Sequence, residues 1–107
     1  MRILLMFFLF AGVLTGCAHH YYRIEGSVVT IYLKAPDAAS VLYATSLDGF
    51  ELHPAIKTDK KTWAFRAPDS AQFSYFYVID GSVFVPECNY REYDDFGSAN
   101  CIFIPGM

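Results

Sequence analysis

Apolar and polar side chains alternate along most of the chain after Ser27. In "SVVTIYLKAP", Val29, Ile31 and Leu33 alternate with Thr30, Tyr32 and Lys34. That period of two marks a strand with one buried face. Pro36 and Asp37 in "APDAAS" break the run, as turn residues do. "VLYATS" predicts a second strand with Val41, Tyr43 and Thr45 on one face, and Asp48-Gly49 in "LDGF" signals a turn. "ELHPAIKTDKK" is polar apart from Leu52 and Ile56, and its "TDKK" reads as a turn. "TWAFRA" predicts a third strand with Trp63, Phe65 and Ala67 on one face. "FSYFYVID" carries the strongest pattern, with Phe73, Tyr75, Tyr77 and Ile79 facing one way. Asp80-Gly81 turns it tightly into "SVFVP". A polar loop, "ECNYREYDDFGSAN", leads to a last strand, "CIFIP". No helical period persists for ten residues. Six or seven short strands separated by turns predict an all-β, antiparallel β-sandwich.

The first residues follow a different pattern. Arg2 is followed by "ILLMFFLFAGVL", twelve residues without a polar side chain, and then by Thr15-Gly16-Cys17. A charged start, a short apolar run and small residues at its end describe a secretory signal, and the run is short for a spanning helix. "LTGC" resembles the bacterial lipobox. That resemblance implies cleavage before Cys17 and lipid on its thiol and new amino group. Several acyl chains anchor stably where one does not. Plain signal peptides and uncleaved anchors with a chance cysteine are the alternatives. The expected organisation is a signal peptide over 1–16, a tether over 17–26 and a sandwich domain over 27–107. Ala18, with no Asp after the cysteine, resembles the default pattern for the outer membrane of a Gram-negative envelope.

Composition then narrows the partners. A chain of 107 residues is one domain. Without Arg2, seven Lys/Arg face eleven Asp/Glu, a net charge of −4. Such a domain repels nucleic acid and anionic membrane surfaces, so membrane attachment falls to the lipid. Cys88 and Cys101 remain. Outside the cytoplasm a disulfide is expected of such a pair, two buried free thiols being the alternative. No hydrolase nucleophile motif or phosphate-cradling loop is present, and "DFG" within "DDFG" stands without the other kinase motifs. The chain therefore reads as non-catalytic, with no cofactor. His19 and His20 lack a third ligand and read as part of a solvated tether. Glu92, Asp94 and Asp95 could collect Ca2+ but read as a solvated loop. No metal site is assigned.

The order of "VTIYLKAPDAASVLYATSLDGF", a Trp in the third strand, "FSYFYVIDG" and "DDFGSANCIFIP" resembles a family-48 carbohydrate-binding module. That group includes the glycogen-binding domain of AMP-activated protein kinase β subunits. The resemblance spans about Ser27–Pro105 and implies an early-set immunoglobulin-like sandwich. It also implies a site to check. Phe50 stands where the family's corner tryptophan stacks on glucose, and Asp48 replaces the neighbouring asparagine. Val83 stands where a second aromatic follows the hairpin, and Phe76 replaces a lysine. Asn100 keeps the asparagine before the last strand. With the cation and one platform gone, Phe50 is expected to turn inward, at least half buried, on Leu52 or Ile56. Phe76, Tyr32 and Phe84 are expected on outer faces, as an aromatic strip for a separate protein partner. Two functions follow: an accessory module that binds protein, or a reduced α-glucan binder using Phe50 and Asn100.

Overall fold

The computed structural model describes residues 20–93 and 98–106. They form an all-β, immunoglobulin-like sandwich of two antiparallel sheets. The strands are β1 (His20–Glu25), β2 (Val28–Lys34), β3 (Val41–Thr45), β4 (His53–Pro54), β5 (Ile56–Lys57), β6 (Thr62–Pro68), β7 (Phe73–Ile79), β8 (Ser82–Phe84), β9 (Arg91–Tyr93) and β10 (Ala99–Phe103). One sheet runs β1-β2-β6-β5; the other runs β4-β3-β7-β10-β9, with β8 also paired to β7. β10 takes residues 73–75 of β7 and β8 takes residues 77–79. The segment after β3 pairs first with one sheet, through β4, and then with the other, through β5. Ala55 sits at that crossing, buried, and its N–H donates to the Val41 carbonyl at 2.9 Å.

The alternating residues face the core as their spacing predicts. Val29, Ile31 and Leu33 pair in register with Ala67, Phe65 and Trp63, and all six are buried. Across the sandwich lie Val41, Phe73, Tyr75, Tyr77, Cys101 and Phe103, also buried. Phe65 is the meeting point of the two layers. Its ring stacks on Tyr43 at 4.2 Å and meets Tyr75 and Tyr77 edge-on at 5.6 and 5.9 Å. Asp80 and Gly81 both have positive φ, 48° and 86°, as a type I′ hairpin requires. The Asp80 carboxylate also accepts from the N–H groups of Ala39 and Ser40, at 2.9 and 2.8 Å, and ties the preceding loop to this turn.

Two regions differ from the sequence expectation. Residues 17–26 were expected as a tether, but His20–Glu25 form β1, paired along its whole length with β2. Within the expected polar loop, Arg91–Tyr93 form β9 at the edge of the second sheet. Both strands lie at edges, where few side chains are buried and the alternation is weak. Cys17 and the apolar run before it lie outside the described residues, as do Asp94 and Asp95. Among the described residues, no helix is long and apolar enough to cross a membrane.

The Tyr77 hydroxyl is buried and meets no hydrogen-bond partner among the described residues. An unsatisfied buried hydroxyl costs about 1–3 kcal/mol. Two substitutions separate packing from polarity. Phe65→Ala opens a cavity between the sheets and should cost about 3–5 kcal/mol in urea unfolding. Tyr77→Phe keeps the ring and removes the orphan hydroxyl, so its urea midpoint should hold or rise. A large loss in Tyr77→Phe would mean that the hydroxyl is satisfied in solution.

Candidate functional site

The corner after β3 is built by backbone geometry. Thr45 Oγ1 accepts from the Leu47 N–H at 3.2 Å and caps a short 3-10 turn over Ser46–Asp48. Gly49 and then Phe50 take left-handed backbone angles, φ 79° and 65°. For a residue with a Cβ that conformation costs roughly 1–2 kcal/mol. The Phe50 N–H donates back to the Thr45 carbonyl at 2.8 Å and closes the turn. The chain reversal lays the Phe50 ring over Phe76, nearly parallel, with centroids 5.8 Å apart. Phe76 lies between the buried Tyr75 and Tyr77 in β7, so it points to the outer face of that sheet.

Phe50 is thus more than half buried, as expected, but on a different partner. Leu52 and Ile56 are 53% and 69% exposed. The left-handed turn carries the ring over the sheet instead of along the strand that follows. Asn100 lies in β10, and its amide donates to Glu92 Oε2 at 3.5 Å. The Ser74 hydroxyl donates to the same carboxylate oxygen at 2.7 Å. The structure therefore brings Phe50 to Phe76 and Asn100 to Glu92.

The expected aromatic strip is largely covered by the chain itself. Phe76 lies under Phe50. Tyr32 lies against Tyr21 of β1, stacked at 4.8 Å, with the Arg23 guanidinium 5.9 Å from the Tyr32 ring. Tyr32 was expected bare because β1 was read as a tether. Phe84 and Val83 do remain exposed.

The open aromatic surface lies at another edge. Cys88 and Cys101 form a disulfide with Cα atoms 5.9 Å apart. It pins the segment after β8 against β10 and closes a short loop, worth about 3 kcal/mol in the chain-entropy model. Between this segment and β1 lies a cleft of about 370 Å3, lined by His20, Tyr21, Tyr22, Tyr75, Tyr90 and Phe103 among others. Tyr22 meets Phe103 edge-on at 5.5 Å. His20 Nε2 lies 3.2 Å from the Tyr75 hydroxyl, and its ring lies edge-on to Tyr77 at 6.0 Å. Burial pushes the His20 imidazole down to about 4, against a weaker opposing pull from a hydrogen bond to the Glu87 backbone. Burial likewise raises the Tyr75 and Tyr77 hydroxyls. His20, expected in a solvated tether, is thus a neutral, mostly buried wedge between β1 and the second sheet. Its only sequence signal was its place beside two tyrosines.

No protein-family model matches the chain, and no curated protein does. The family-48 resemblance rests on the residues quoted for it.

Two measurements test this geometry. Phe50→Ala should lower the melting temperature, because the ring covers Phe76 and Phe burial stabilises by about 1.5–3 kcal/mol. An unchanged melting temperature would return Phe50 to the role of a free platform. The folded chain refuses a proton on His20 that the unfolded chain accepts. Stability should be full above the ordinary imidazole value of 6.5 and fall as pH drops toward 4, by about 3 kcal/mol at 1.36 per pH unit. Urea midpoints at a series of pH values should show a shallower acid slope for His20→Gln than for the native chain.

Proposed function

We propose that this chain is a non-catalytic lipoprotein of the bacterial envelope, anchored at Cys17, that binds a separate protein along its open edge. The cleft beside β1 carries this reading. Tyr22 and Ile24 of β1 and Tyr90 across the cleft are all 40% exposed or more. Exposed tyrosines grouped at a cleft are what protein interfaces use as anchors. β1 is also the last strand of its sheet, so its outer backbone groups can pair with an added strand. The apolar run before Cys17 and the "LTGC" cleavage pattern support the anchor, and the disulfide agrees with an oxidising compartment. The acidic balance argues against nucleic acid as the partner. Ala18 after the cysteine supports an outer-membrane destination.

A second reading, α-glucan binding through Phe50 and Asn100, draws on one observation. Phe50 covers Phe76 of β7, and Asn100 lies in β10, the strand paired with β7. A sugar would have to use the ring face turned away from Phe76.

Three arms test these readings in the full chain. Cys17→Ser should accumulate as an unprocessed precursor; normal cleavage and release of that variant would remove the lipoprotein reading. A photo-crosslinking residue at position 90 should give a discrete envelope adduct that Tyr22→Ser abolishes. The same probe at Lys60, in the turn between β5 and β6, should give none. Equal labelling from both positions would remove the open-edge reading. Titration with maltoheptaose should give no saturable signal, and saturable binding lost in Phe50→Ala would favour the glucan reading.

A further inference from the structure

The corner after β3 gathers three side chains that neither reading uses. The Asp48 and Glu51 carboxylates and the His53 imidazole place one donor atom each within 4.8 Å of one another. The group mixes a nitrogen donor with two oxygens. We infer that Asp48, Glu51 and His53 bind a divalent first-row transition-metal ion such as Zn2+, through the two carboxylates and His53 Nε2.

The backbone fixes both ends of the group. Asp48 closes the 3-10 turn that Thr45 caps. Its Oδ1 accepts from the Glu51 N–H at 3.2 Å, which leaves Oδ2 free to face the imidazole. His53 begins β4 and pairs in register with Tyr43, whose ring lies against the imidazole at 5.5 Å. The donors therefore approach from opposite ends of one clamped turn. The Glu51 carboxylate lies within 4.8 Å of both donors and has no partner among the described residues.

The geometry is close to what a tetrahedral ion needs. Bonds of about 2.0–2.1 Å put neighbouring ligand atoms about 3.3 Å apart. His53 Nε2 and Asp48 Oδ2 are now 2.6 Å apart, a hydrogen bond that shares one proton. A cation takes the place of that proton, the pair opens by under an ångström, and Glu51 closes in. All three side chains are at least partly exposed, so rotamer changes suffice. Three protein ligands leave one position of the ion to water or to a partner's side chain, and imidazole with carboxylate favours Zn2+, Mn2+ or Cu2+ over Ca2+.

Zn2+ titrated calorimetrically into the full chain in detergent should bind at one ion per chain. Binding should weaken as pH falls, because ligand atoms must be free of protons to hold the ion. Glu51→Gln removes a ligand whose carboxylate has no other partner among the described residues. It and His53→Gln should each weaken binding by more than about tenfold, the cost of even an outer-shell change at such sites, and Glu51→Gln should do so without changing the unfolding temperature of the metal-free chain. Absence of saturable Zn2+ binding would overturn the site. So would Zn2+ binding unchanged in both variants, which would place the ion elsewhere, such as at His19 and His20. Loss in His53→Gln with none in Glu51→Gln would overturn the three-donor arrangement.

Discussion

Phe65 carries the contact on which this sandwich depends. A domain this small buries little area per residue, so a few large rings must do most of the joining between sheets. Tyr43, Tyr75 and Tyr77 of the second sheet all close on Phe65 of the first. Aromatic pairs contribute about 0.5–1.5 kcal/mol beyond the area they bury. Each tyrosine also brings a hydroxyl into that layer. The Tyr75 hydroxyl meets His20. The Tyr77 hydroxyl has no partner among the described residues, and it measures how far packing outweighs polarity here.

The wedge at His20 depends on that layer. An imidazole can fill the gap between β1 and Tyr75 only while it is neutral, since the surrounding rings offer a charge little solvation. The first strand therefore closes the sandwich by shape and polar contacts at His20 instead of by apolar bulk. The cleft beside it is the space that this incomplete closure leaves. The disulfide holds the opposite wall, so the cleft has one covalent side and one side held by a single strand.

How much of this was legible in the sequence follows from burial. Strands with a buried face wrote their alternation plainly, as in Val29-Ile31-Leu33 and Phe73-Tyr75-Tyr77. The Asp80-Gly81 turn was legible because its backbone admits few residues. β1 and β9 were missed because edge strands bury little, and polar residues such as His20, Arg23 and Arg91 blur the period. The inward turn of Phe50 followed from chemistry. Its partner did not, because a left-handed angle at a phenylalanine is not written in residue type. Asp48, Glu51 and His53 match no familiar spacing; the chain's reversal at Gly49 and Phe50 is what folds them together.

The Asp80 turn has a consequence for the lifetime of the molecule. Asp-Gly pairs are where polypeptides age chemically. The glycine nitrogen attacks the aspartate carboxyl carbon, water leaves, and the ring reopens with an extra atom in the backbone. A two-residue hairpin has no room for that atom. Here the carboxylate is held by the N–H groups of Ala39 and Ser40, and must leave both and gain a proton before it can cyclise. The contact that joins loop to turn thus also slows this wear, and the hairpin should outlast the same dipeptide in an open chain.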